Sequence, residues 1–372
     1  MSKRKEKRER RKAFSLLYTM YNILFRVDGS SNIGMGHVMR SLTIAKEFRK
    51  MNCNVVFISK YKEGVEKILE EDFNVIKLRN GIHLKGYDYG EESELKAELE
   101  ELQKIFNNYS YIDLFLVDSY NVTDNYFLEI KKYVNRLAYI DDINKFCKHI
   151  DILINGNITA NDMGYKKYRE DQLLFLGTKY NLIRDEFKNL PKRSVNDDVR
   201  KVMITTGGAD PYNMSIKLLD ILLKSEKSRN LQYYVVLGKG FKNKEKLKDF
   251  SKKYANVVLK ENVKYMSKIM LECDVAISAG GGTLYELCSC GTPTIAFIVA
   301  ENQEKLVDKL SRLKYIKSIG WYDEITKNKL ISVFNKLCRD KDARKDMSSR
   351  GQFLVDGLGG SRITKEIINS LT

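Results

Sequence analysis

His37 stands directly behind two glycines in the stretch Asn32-Ile33-Gly34-Met35-Gly36-His37-Val38-Met39-Arg40, in a chain of 372 residues with only three histidines. The stretch joins an apolar run to an amphipathic segment, so it reads as a tight turn from strand to helix. At a helix N-terminus the dipole disfavours an imidazolium, which keeps the ring neutral and able to take up a proton at pH 7. That is the chemistry of a general base. The other two, His83 in a loop and His149 before an apolar run, read as structural.

Three glycine turns end strand-like runs: Gly34-x-Gly36, Gly207-Gly208 and Gly280-Gly281-Gly282. None has the spacing of a dinucleotide fingerprint or a P-loop. In "DVAISAGGGTLYEL" a strand passes through Gly280, Gly281 and Gly282 into a helix that begins near Thr283. N–H groups and the positive dipole end there suit a diphosphate over Gly281–Thr283, and Glu286, one turn on, suits a ribose diol. Asn213 offers an amide from the first turn of the helix after Gly207-Gly208. Asn302 and Gln303, in "AENQEK", belong on the rim of a cleft. Singly, each is a packing glycine or a surface polar group. Together, three strand-end loops supply what a nucleoside diphosphate requires.

These loops need a parallel sheet to hold them, and short apolar runs do alternate with longer amphipathic segments. In the first half 21–27, 54–59, 112–118, 136–141 and 150–155 read as strands, with helices over 37–51 and 91–107. Around Pro191 the chain turns polar and turn-rich, and the rhythm then restarts with strands at 200–208, 232–238, 255–259, 273–282 and 292–299. Asp210-Pro211 reads as an N-cap followed by proline at the first helical position. The expected architecture is α/β: a basic tail (1–19), one doubly wound domain (20–192) and a second (198–372), facing across a cleft with ligands at the carboxyl ends of the strands.

The net charge is +16, of which residues 3–12 supply +6. Such a run reads as a solvated arm, with weak contact to a membrane surface or polyanion through residues 1–12 as the sharper alternative. The remaining lysines lack the interleaved aromatics of a base-stacking groove, so no nucleic-acid partner is expected. The six cysteines are scattered, Cys288-x-Cys290 has no second pair, and no segment approaches the length of a membrane span, which fits reduced thiols in a cytoplasmic protein. No D-x-D or His/carboxylate cluster marks a divalent ion; neither a metal nor a cofactor is expected.

With "FRVDGSSNIGMGHVMRSLTIA", "VDSYNV", "LGTKYNLIRDEF", "ITTGGADPYNMS", "ISAGGGTLYELCSCGTPTI" and "ENQ", the chain resembles the UDP-sugar hydrolases of pseudaminic acid biosynthesis (PseG), over roughly residues 21–320. The resemblance implies a GT-B architecture of two Rossmann-like domains, as in MurG. It implies release of UDP from UDP-2,4-diacetamido-2,4,6-trideoxy-β-L-altropyranose. The chain is expected to act as a monomer. It makes His37 the catalytic base, puts Tyr120 and Asn302 at the reacting sugar, and sets Asn213 and Glu286 on the ligand. Gly36 and Asp28 go with the first loop, Asp28 orienting the glycine–histidine turn. Tyr120 has a second reading, as a structural tyrosine bridging loops. Asp141-Asp142 is set aside as a pair, because neighbouring strand-end side chains point apart. The chain departs from the family in residues 1–19 and at Gly282, where related sequences often have Ser. The expected reaction is inverting and metal-independent, with water activated by His37. The alternative is a GT-B glycosyltransferase using the same donor loops.

Overall fold

The computed structural model describes residues 20–30, 33–78, 92–238 and 240–371; the side chains of Glu92 and Ser93, the basic tail and His83 lie outside the described residues. Among the described residues the first sheet has seven parallel strands, β1 (Asn22–Val27), β2 (Asn54–Ser59), β3 (Asn74–Lys77), β4 (Leu114–Asp118), β5 (Arg136–Ile140), β6 (Ile152–Asn155) and β7 (Leu173–Leu176), in the order 3-2-1-4-5-6-7. Helix α1 (Gly36–Lys50) covers one face, packing Leu42, Ala45 and Phe48 on Phe25 and Phe57. Helices α3 (Glu92–Asn107) and α4 (Asp124–Ile130) cover the other, over Leu24, Phe115 and Leu153; α2 (Lys62–Leu69) links β2 to β3. Cover on both faces is why the central strands are apolar runs rather than alternating ones.

The second sheet, β8 (Lys201–Thr205), β9 (Gln232–Leu237), β10 (Val257–Glu261), β11 (Val275–Ala279), β12 (Thr294–Ile298) and β13 (Lys317–Trp321), runs in the order 10-9-8-11-12-13. Its helices are α5 (Met214–Leu223), α6 (Lys244–Lys253), α7 (Met266–Glu272), α8 (Thr283–Ser289), α9 (Glu301–Arg312), α10 (Lys327–Arg339) and α11 (Lys341–Leu354). Each order reverses direction once, between β1 and β4 and between β8 and β11, and the turns that open beside those reversals hold the glycine loops. Strands β3, β7 and β13 were not expected from the sequence. All three are sheet edges with mostly half-buried or exposed residues, so they lack an apolar run.

Two expectations need correcting. The last helix, α12 (Gly359–Leu371), does not close the second domain; its Ile363 and Ile367 enter the first domain's core beside Phe48 and Leu42. Helix α5 begins at Met214, not after Asp210, and Pro211 and Tyr212 lie in a turn. Asp210 still caps it, accepting from the N–H groups of Met214 (2.8 Å) and Ser215 (2.9 Å). Between the domains Ile158, Ile183 and Phe187 pack among Leu284, Tyr285 and Leu287 of the second, and the Tyr285 hydroxyl accepts from the Ile158 N–H at 2.8 Å.

Candidate active site

Helix α1 opens at the carboxyl end of β1, and its first turn faces the end of β4. Asp118, the last residue of β4, pairs in register with Val27 and is buried. His37 and Arg40, three residues apart and so on one helix face, both reach it. The His37 Nδ1 lies 2.6 Å from Asp118 Oδ1. Arg40 donates through Nε to Oδ2 at 2.7 Å and through Nη2 to Oδ1 at 2.5 Å, a two-pronged clasp on the same carboxylate. The Ser41 hydroxyl adds a bond of 3.2 Å to Oδ2.

Burial alone would push the Asp118 carboxyl up, but the Arg40 charge, with His37, outweighs it and holds the group at about 2. An ionised carboxylate only accepts, so at 2.6 Å the His37 Nδ1 must carry a hydrogen. Arg40 Nη2, 3.0 Å from that nitrogen, therefore serves the carboxylate and not the ring. The consequence is tautomeric: whenever the ring is neutral, Nε2 is its acceptor. A carboxylate behind one imidazole nitrogen fixes both the ring's tautomer and its orientation.

Tyr120 packs edge-on to the His37 ring with centroids 4.8 Å apart, and its hydroxyl donates to Asp142 Oδ2 at 2.9 Å. Burial, and next the Asp142 charge, push the phenol well up, so it stays protonated. Arg40 Nη1 reaches the same Asp142 oxygen at 3.2 Å, while Asp142 Oδ1 is buried with no partner among the described residues. Asp141 turns the other way, onto the Tyr165 hydroxyl (2.6 Å) and the N–H groups of Ile143 and Asn144. The two aspartates do point apart, but Asp142 belongs to the site.

Among the described residues the Asp28 side chain makes no hydrogen bond to the glycine–histidine turn, so the expected orienting role finds no support there. Its carboxylate takes the Arg26 Nη2 (2.7 Å) and the Lys60 N–H (2.8 Å), within a buried group where Arg26 also clasps Glu98. The positive charge on β1 draws it inward.

In the second domain the N–H groups of Gly281, Gly282 and Thr283 have no partner among the described residues, whereas Gly280 N–H bonds Phe297. Gly281 has φ +145°, a conformation that side chains rarely adopt, and a Cβ on Gly280 would come within 2.7 Å of Val307. Gly282 is right-handed helical with open space beside it, so a Ser there would fit. Thr283 starts α8. Glu286 lies in the first turn of α8, and its Oε1 accepts from Arg184 Nε (3.0 Å) and Nη2 (2.9 Å). Burial raises its carboxyl and Arg184 partly offsets this.

Asn213 is not inside the helix: it precedes α5 in a left-handed conformation (φ 54°) and accepts from Asn243 at 2.6 Å. Asn302 is exposed in the first turn of α9, with no side-chain hydrogen bond among the described residues. The Gln303 side chain turns back to accept from the Val299 N–H at 3.0 Å. Gly36, the first residue of α1, is exposed beside His37. His37, Tyr120 and Gly36 are thus brought together in one domain, and Gly280–Thr283 with Glu286 in the other. Arg40, Asp118, Asp142 and Arg184 had no assigned task. The signals were present, since Arg40 follows His37 by three residues and Asp118 ends an apolar strand.

Residues 201–358 match the glycosyltransferase family 28 C-terminal domain. An uncharacterized protein of Methanocaldococcus jannaschii is 28% identical over 306 residues, 79% of this chain and 58% of the relative, so the chain spans little more than half of that protein. The UDP-2,4-diacetamido-2,4,6-trideoxy-β-L-altropyranose hydrolase of Campylobacter jejuni is 25% identical over 79% of this chain and 97% of its own length. Among solved structures, MurG of Acinetobacter baumannii superposes with a TM-score of 0.66 at 12% identity, over 94% of this chain and 99% of that one. With two parallel doubly wound sheets and that match in the second half, the chain has the MurG-like GT-B fold of two Rossmann-like domains.

Proposed function

We propose that the protein hydrolyses a UDP-activated diacetamido-trideoxyhexose, releasing free sugar and UDP for surface-glycan biosynthesis. The observation that carries this reading is the His37–Asp118 pair at the carboxyl edge of the first sheet. Its Nε2 takes a proton from a water aimed at the anomeric carbon, opposite UDP, so the configuration inverts. In the same step the water oxygen bonds C1, the C1–O bond to UDP breaks, and the electron pair leaves with the diphosphate. Asp118 holds the ring and stabilises the imidazolium that forms. The N–H groups of Gly281–Thr283, unpaired among the described residues, take up the charge growing on the departing phosphate, and Glu286 accepts from the ribose hydroxyls. Tyr120, Asp142 and Asn302 offer a donor and acceptors for the sugar's amides.

The relative in Campylobacter jejuni, named for this hydrolysis, supports the choice of substrate. The second reading, a glycosyltransferase, is favoured by the family 28 match over residues 201–358. Incubation with UDP-2,4-diacetamido-2,4,6-trideoxy-β-L-altropyranose, followed by NMR of the products, decides between them. Free sugar of inverted configuration together with UDP, formed without an acceptor, is the expected result. Turnover only when an acceptor is added establishes the transferase instead.

A further inference from the structure

The short segment Arg184–Lys188 faces two ways. Toward the second domain, Arg184 clasps Glu286 and pairs with Glu186 at 2.7 Å, and Glu186 in turn accepts from the Ser267 N–H at 2.9 Å. Phe187 is buried in the second domain's core and its carbonyl accepts from Ser289. Toward the first domain, Lys188 pairs with Glu47 at 2.7 Å and with Asp185 at 2.9 Å, and Asp185 also meets Lys50. Glu47 and Lys50 lie in the last turn of α1, the helix whose second residue is His37. Glu47 follows His37 by ten positions along the helix, a rigid lever of about 15 Å.

We propose that Arg184 and Lys188 are positioning residues that tie the nucleotide end of the site to the general base. Arg184 holds the carboxylate that receives the ribose, and Lys188 holds the far end of α1. Engagement of Glu286 by a nucleotide shifts Arg184 and, through the turn it belongs to, the seat of α1. The ion pairs that do this are not surface decoration: the Lys188 and Glu47 side chains are 12% and 7% exposed. An exposed pair of this kind would transmit little. Coupling of this type requires an element that both sites bias, and this segment meets Glu286 on one side and, on the other, the far end of the helix that carries His37. The proposal rests on the UDP-sugar reading above.

The test uses the full chain labelled at histidine, whose three imidazoles give few signals, with the His37 signal assigned through His37→Gln. UDP alone is the probe, and its affinity is measured by calorimetry in parallel. In the unaltered protein UDP shifts the His37 resonance. In Lys188→Met the shift falls by at least about half, while UDP affinity changes by less than about threefold; Lys188→Arg restores it. With substrate, Lys188→Met lowers kcat and leaves KM nearly unchanged. Glu47→Gln, which keeps a hydrogen-bonding side chain of the same shape, serves if Lys188→Met does not fold, and is expected to reduce the shift in the same direction. An unchanged His37 shift in a folded variant that still binds UDP, or no shift in the unaltered protein despite binding, overturns the coupling. Failure of the unaltered protein to bind UDP overturns the functional reading instead.

Discussion

Nδ1 of His37 and Oδ1 of Asp118 sit 2.6 Å apart, although they are 81 residues apart in sequence and on different elements. The same carboxylate is clasped by Arg40, so it does two jobs: it orients the imidazole and neutralises a guanidinium. Replacing His37 with Ala removes the base and is expected to lower kcat by roughly 10²–10⁴-fold, about 3–5 kcal/mol of barrier. UDP affinity stays nearly intact. Loss of UDP binding with single-turnover hydrolysis unaffected would show that the ring binds rather than reacts.

Asp118→Asn separates the two jobs. An amide can hold the ring in the wrong tautomer, so kcat falls while UDP still binds. It also leaves the partly exposed Arg40 charge with only Asp142 as a carboxylate partner, which is expected to lower stability by about 1–3 kcal/mol. Thermal unfolding of the variant, read beside its kinetics at a temperature where it remains folded, distinguishes the two effects. Unchanged kcat in folded protein would remove Asp118 from the mechanism.

Acid should loosen this centre within a defined window. With its pKa held at about 2 in the folded protein, against a usual value near 4 in an unfolded chain, Asp118 stabilises the fold fully above about pH 4. The contribution, about 2–3 kcal/mol, is lost as pH falls from about 4 toward 2. Glu98, clasped by Arg26, shifts in the same direction. Urea unfolding at successive pH values should show stability dropping through that window, and less steeply in Asp118→Asn. Equal slopes in the two proteins would contradict the assignment.

The glycine turn before α8 yields a contrast between neighbours. Gly281→Ala puts a side chain where φ is +145°, a strain of about 1–3 kcal/mol, and should weaken UDP binding measured by calorimetry. Gly282→Ser enters a right-handed position with open space and is expected to leave affinity nearly unchanged. The reverse order of effects would mean that the turn does not hold the diphosphate.

Glu286→Gln keeps the shape of the side chain but discards the charge that Arg184 meets. Hydrogen bonds to a charged group contribute about 1.5–3 kcal/mol, so UDP affinity should fall by roughly ten- to a hundredfold, with kcat at saturation little altered. A fall in kcat at constant affinity would move Glu286 from ribose recognition to the reacting centre.

The central strands were legible in the sequence because helices on both faces force them to be continuously apolar; β2 matches its expected bounds residue for residue. Edge strands β3, β7 and β13 escaped because burial on one side leaves no such run. His37 was visible through its rarity and its glycines. Its partners were not, since Asp118 and Asp142 become neighbours of α1 only when β4 and β5 are laid beside β1. Asp28 misled for the opposite reason: nearness in sequence to the turn suggested a role there, while Arg26, two residues away on the same strand, captured its charge. The last helix was assigned to the wrong domain because chain order says nothing about which core an apolar stripe will fill.

That last helix sets how the two halves can move. By returning to α1, it makes the polypeptide pass between the halves twice, once near Lys188 and again near Gly357. Two attachment points define a line, as a pair of pins does for a door. Such a pair of attachments leaves rotation about that line as the freest relative motion of the halves and resists sliding and twisting. Cutting the chain after Leu354 would leave a single pin and strip the Ile363–Ile367 stripe from beside Phe48, so the halves would be joined only through the segment near Lys188.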